Sequence, residues 1–191
     1  MESSQIRKIT GIGILLGIEI VLQVIGNFIS FPGGVSINLS LVPIALGCIL
    51  YGPLAGGFLG LMNGLLVLFA PSTEIFLTYA PVGTVITCLS KCTIAGIVAG
   101  LVFKAIGKKN YLLGAIICSL FIPIINTGIF ALCALTLVKN AIVNIEGYNG
   151  KLVSFVLLIV ITWNFLLEIT ITAVLSPAIV KITKIIKKEK E

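Results

Sequence analysis

The chain contains no histidine. Without imidazole there is no His-based proton shuttle and no Ser–His dyad, and the usual ligands of an intramembrane zinc protease are missing. Charge is scarce too. Only 10% of the 191 residues are Asp, Glu, Lys or Arg, where a soluble domain carries roughly a quarter. No Gly-x-x-x-x-Gly-Lys-Ser/Thr loop occurs, which excludes an ATP site of that type. Low-complexity tracts and clear repeats are absent, and no polar stretch is long enough for a soluble domain. Residues 1–191 therefore read as a single transmembrane domain.

What is there is apolar: 58% of the residues are hydrophobic. At roughly 20 residues per crossing the chain has room for about six. The predicted segments are residues 9–29, 39–51, 53–69, 82–106, 111–138 and 152–180. The second and third form one apolar stretch too long for a single crossing. Tyr51-Gly52-Pro53 breaks it, because Pro removes a backbone donor and Gly loosens the chain. The second helix is then short, and interrupted membrane segments point to a substrate site. The first run begins like a signal peptide but is long and lacks a small-x-small cleavage site, so it reads as a retained helix.

The net charge of +6 is not a nucleic-acid footprint, because its basic residues sit at segment ends. Arg7 and Lys8, then Lys104, Lys108 and Lys109, then Lys181, Lys184, Lys187, Lys188 and Lys190 would share one side. On the other side Lys139 and Lys151 are cancelled by Glu74 and Glu146. The positive-inside rule makes this an all-α integral membrane protein with six transmembrane helices, N-in and C-in. The C-terminal lysines also suit contact with anionic lipid of the bilayer.

Three charges, Glu19, Lys91 and Glu168, fall inside the apolar runs. An ionisable group at that depth costs a few kcal/mol and by default faces the bundle interior. Lys91, Asn126 and Asn164 fall roughly 12–18 Å from the outer ends of their segments, with Asn63 slightly shallower. Glu168 lies one turn below Asn164 on the same face. One reading is a pocket: Lys91 meets an anionic group, Asn126 and Asn164 hydrogen-bond the ligand, and Trp163 and Tyr79 stack on it. The other is an internal ion pair of Lys91 with Glu168 or Glu19, with asparagines bridging helices. The two are compatible.

Gly13 and Gly17 form a small-xxx-small pair that lets another helix approach closely, either a partner's or this chain's own. Glu19 points well over a right angle away from them. Cys48, Cys88, Cys92, Cys118 and Cys133 all lie in apolar runs and read as soft packing, so neither metal nor cofactor is expected. Glu19 and Glu168 have no nucleophile or metal cluster beside them, so the chain does not read as an enzyme.

The run Ile37-Asn38-Leu39-Ser40-Leu41-Val42-Pro43, followed by Gly52-Pro53-Leu54-Ala55-Gly56, resembles the substrate-binding S component of energy-coupling factor (ECF) vitamin transporters. Gly83-Thr84 with Lys91 and Gly96, and Pro123-Ile124-Ile125-Asn126-Thr127-Gly128, are also similar to that family. The resemblance spans essentially the whole chain. It implies a subunit of a bacterial plasma-membrane importer that binds a vitamin from outside and partners a transmembrane coupling subunit and two cytoplasmic ATPases. Small residues spaced by four on helix 1 contact the coupling subunit in that family, and Gly13 and Gly17 match, with Gly for the commoner Ala. Loops 31–40, which holds Asn38, and 70–81, which holds Tyr79, would cap the ligand. Toppling of the S component in the membrane would carry the site inward. Riboflavin members tend to pair an Asn with a Lys one turn later on helix 6. Here Asn164 is followed by Glu168, which counts against riboflavin. Lys91 beside amide groups suits a small carboxylate vitamin such as pantothenate, with other vitamins left open. The rival readings are a stand-alone secondary transporter using protons or sodium through Glu19 or Glu168, and a structural membrane protein without a small ligand.

Overall fold

The computed structural model describes residues 2–28, 30–31, 35–36, 38–144 and 165–188. Helix α1 spans Glu2–Asn27. A two-residue antiparallel ladder follows, β1 (Ser30–Phe31) against β2 (Val35–Ser36). Next come α2 (Leu41–Tyr51) and α3 (Pro53–Leu68), and a 3-10 turn (Pro71–Thr73) that leads into α4 (Glu74–Tyr79). The long helices α5 (Pro81–Ile106) and α6 (Tyr111–Leu135) precede the short α7 (Lys139–Val143). Helix α8 covers Leu166–Lys188. The first part of the predicted sixth segment, with Trp163 and Asn164, lies outside the described residues.

Apart from the short ladder the described chain is helical, and beside an apolar core it buries an unusual number of polar groups while exposing large apolar ones. Glu19, Gln23, Asn38, Asn63, Asn126 and Glu168 are buried, while Ile14, Val21, Phe58, Leu101, Leu132 and Val174 are exposed. In a bilayer the tails solvate the apolar exterior and the polar groups must satisfy one another within. Among the described residues four helical stretches are long and apolar enough to cross: Gln5–Asn27, Pro81–Ile106, Tyr111–Leu135 and Leu166–Thr183. Pro53–Leu68 with Pro71–Tyr79 forms a pair bent by 74°, a broken span or a re-entrant loop. The sequence predicts six crossings; among the described residues, length and composition support four, or five with the bent pair. The eleven residues of α2 rise only about 17 Å, short of the ~30 Å hydrocarbon core.

The break between α2 and α3 forms as the sequence predicts. Gly52 takes φ 90°, a conformation that costs other residues a Cβ clash, and donates its N–H to the Cys48 carbonyl. Pro53 then opens α3, where a missing N–H costs nothing. Two expectations are refined. Residues 70–81 are not a plain link but coil into the 3-10 turn and α4. The α-helix of the fifth segment stops at Leu135: Thr136 leaves the helical conformation, and the Thr136 and Val138 amides turn back to the Cys133 carbonyl three and five residues away instead of four.

Among the described helices α3 and α5 share the most extensive contact. A Cβ added at Gly56, Gly60 or Gly64 would strike the α5 backbone at Gly96, Cys92 or Cys88 respectively. Three glycines one turn apart thus remove the spacer between two backbones, the small-xxx-small logic of membrane helices. At one end of the bundle Leu15, Ile49, Cys118, Ile179 and Val180 share a core with Tyr51, Phe103 and Tyr111. A Cβ on Gly11 would run into the Tyr51 hydroxyl, so the start of α1 stands beside the end of α2. The basic positions Arg7, Lys8, Lys104, Lys108 and Lys181 therefore gather at this end.

Candidate functional site

The opposite end holds a cavity of about 60 Å³. That volume exceeds the ~10–15 Å³ that one water needs, so it has room for several waters or for the polar end of a small ligand. Its charged walls are Lys91 from α5 and Glu168 from α8. Gln23 from α1 and Asn38, ahead of α2, add amides, and Ser72, Thr73 and Phe76 close it from the 70–81 segment. Phe76 meets Phe130 edge-on at 6.2 Å, and Phe76 packs with Ala134, Val138, Ala141 and Ile142, so α4, which reaches the cavity wall through Phe76, is braced by α7.

Lys91 is half-buried, and its Nζ stands 5.0 Å from the centroid of the Phe130 ring. Among the described residues no ion pair joins it to Glu168 or Glu19. The ring face supplies part of what water would give the ammonium, a contact worth about 0.5–2 kcal/mol. The charge thus remains available to a ligand while Glu168 faces the same space.

Glu168 is held from α6. Asn126 Nδ2 and Thr127 Oγ1 each donate to its Oε2 at 3.3 Å, and the Asn38 backbone N–H is also directed at the carboxylate. From Asn126 the polar contacts run on through the bundle. The Cys92 thiol lies 3.3 Å from Asn126 Oδ1 and 3.1 Å from Asn63 Oδ1. A thiol carries one proton, so it serves one amide at a time or shares between both. Asn63 Oδ1 also accepts from Asn38 Nδ2 at 2.9 Å. On the α1 side Ser40 donates to Gln23 Oε1 at 2.9 Å, and Gln23 donates to Asn27 at 3.0 Å. Five helices, α1, α3, α5, α6 and α8, and the segment ahead of α2 are joined by these contacts, and each buried amide in them has a polar partner.

Glu19 is fully buried on the inner face of α1. Asn63 approaches it, yet neither carboxylate oxygen reaches hydrogen-bond geometry among the described residues. Gly13 and Gly17 face outward, and a Cβ added at either meets nothing within 4 Å. Of the two packing partners open to these glycines, no other described helix of this chain occupies the place.

Of the expected site residues, the fold brings Asn38, Lys91 and Glu168 to the cavity wall and sets Asn63 and Asn126 in the network below it. Tyr79 is exposed on α4, outside the cavity wall. Trp163 and Asn164 lie outside the described residues. Sequence reading missed Gln23, Thr127 and Cys92. Gln23 follows Glu19 by one turn and Thr127 adjoins Asn126, so spacing could have pointed to both. From the sequence Cys92 reads as packing, and only its neighbours make it a bridge. Thr84 and Thr87 line the wall too, but their hydroxyls are spent on the Ala80 and Gly83 carbonyls.

A family model described as "ECF transporter, substrate-specific component" matches residues 7–180. No curated protein and no solved structure matches the chain.

Proposed function

Because this chain belongs to the family of substrate-specific components of ECF transporters, we propose that it captures a small carboxylate-bearing vitamin, pantothenate-like in chemistry, for an ATP-driven importer. Members of the family are transporter subunits rather than enzymes; they bind small-molecule substrates and partner an ECF module made of a transmembrane coupling subunit and ATPases. The observation that carries the substrate class is Lys91: a cation at a partly open cavity with polar and apolar walls, cushioned by Phe130 and, among the described residues, not neutralised by an ion pair. A carboxylate docked there gains a charge-assisted hydrogen bond. The amides of Gln23 and Asn38 and the carboxylate of Glu168 suit hydroxyl and amide groups elsewhere on the ligand. The cavity is small beside the ~300–1,000 Å³ of drug-sized pockets, which fits a slender ligand better than a fused-ring one.

In this reading the whole chain is a single transmembrane unit in a bacterial plasma membrane, with six segments and both termini on the cytoplasmic side. The gathering of Arg7, Lys8, Lys104, Lys108 and Lys181 at the end away from the cavity supports that orientation. Gly13 and Gly17 present the bare face on which the coupling subunit's helix would seat. The testing experiment is a ligand screen on the purified chain, read by native mass and Trp163 fluorescence against B vitamins and related metabolites. Tight binding of one carboxylate vitamin without ATP or an ion gradient is the expected result. Binding that requires protons or sodium would favour a secondary transporter instead.

A further inference from the structure

A second depression lies at the basic end, remote from the cavity. It is a groove of about 640 Å³ between the α2–α3 turn and the α5–α6 turn. Ile49, Leu50, Pro53 and Phe103 give it a largely apolar wall, and Lys104 and Lys108 stand at it. The two lysines are four residues apart, one on the last turn of α5 and one just beyond, so they share a side. No carboxylate lines the groove among the described residues. Helices α3 and α6 begin here while α2 and α5 end here, so their terminal dipoles largely offset one another. The two ammonium groups therefore set the sign of the field.

We propose that this groove holds an anionic phospholipid, with its phosphate between Lys104 and Lys108 and an acyl chain along the apolar wall. A soluble phosphate would use the lysines but leave the wall in contact with water; a lipid answers both demands. The groove opens where spanning helices meet the membrane surface, and basic pockets between such helices are suited to acidic headgroups. None of its residues lines the cavity, so the assignment stands apart from the identity of the transported ligand.

The test is native mass spectrometry of the full-length protein released from detergent, titrated with phosphatidylglycerol or phosphatidylcholine of matched chains. The wild type should retain phosphatidylglycerol in preference to phosphatidylcholine. Lys104→Gln with Lys108→Gln should weaken that retention by roughly fivefold per lysine. Lys104→Arg with Lys108→Arg should keep it, and Lys139→Gln, on α7 at the other end, should leave it unchanged. Equal retention of the two lipids overturns the proposal, as does undiminished phosphatidylglycerol binding in the double Gln variant. Displacement by glycerol phosphate at the same concentration as lipid would overturn the lipid assignment in favour of a soluble anion.

Discussion

At the scale of single residues, Lys91 and Asn126 illustrate two different uses of polarity inside an apolar bundle. The Lys91 ammonium rests over Phe130 and faces open space. Removing it therefore subtracts from ligand binding more than from folding. Lys91→Ala should weaken ligand affinity by about 1–3 kcal/mol, the scale of a charge-assisted hydrogen bond. Isothermal titration of the purified variant checks this, and an unchanged affinity would remove Lys91 from the site. Asn126 works in the opposite way. Its amide serves Glu168 on one side and Cys92 on the other. Asn126→Ala leaves a buried carboxylate short of a donor, and it should lower stability by about 1–3 kcal/mol. Thermal unfolding in detergent, with and without ligand, measures it. A variant as stable as the wild type would mean that water or another side chain fills the gap.

At the scale of elements, glycine has two separate jobs. On α3 the row Gly56, Gly60 and Gly64 is a packing surface against α5. Overpacking a filled interface typically costs about 1–3 kcal/mol, and more when the obstacle is backbone. Gly60→Leu should therefore lower the unfolding midpoint sharply and loosen the Asn63–Cys92 contact beside it. Gly13→Leu, on an open face of α1, should leave the midpoint of the isolated chain unchanged. Equal effects of the two substitutions would refute the distinction. The short α2 shows why an element can be buried without spanning. Leu41 and the run from Pro43 to Ile49 are enclosed by neighbouring helices, so its backbone never has to face lipid alone.

At the scale of the whole molecule, polarity is divided between two ends. One end carries the cavity beside α4, and the other gathers the basic groups and the lipid groove. If Gly13 and Gly17 seat a partner helix, bulk there should block coupling but not capture. Gly13→Trp should abolish ATP-driven uptake in reconstituted vesicles while ligand binding by the isolated chain persists. Loss of binding as well would place the glycines in this chain's own packing. The proposed orientation is checked with single-cysteine labelling in a background without the native cysteines. Lys8→Cys and Lys181→Cys should both react only from the cytoplasmic side. Labelling of the two from opposite sides would disprove an even number of crossings.

The sequence alone determined that this is a helical membrane protein with a polar interior, since hydropathy and scarce charge leave a chain of this kind no other solvent. It also determined the α2–α3 break, because Gly52 and Pro53 act on their own backbone whatever surrounds them. Lys91 and Glu168 were legible as inward-facing because charge at bilayer depth must turn away from lipid, whereas Asn38 stood out only through the 31–40 loop that the family resemblance sets over the ligand. Tertiary structure decided the rest. Periodicity places a residue on a face but does not say which other face it meets. That Lys91 rests on Phe130 rather than pairing with Glu168, that Cys92 bridges two asparagines, and that Gly60 abuts Cys92 all depend on how far apart helices settle and at what register. Those distances are set by summed packing between segments remote in the chain, and no local pattern records them.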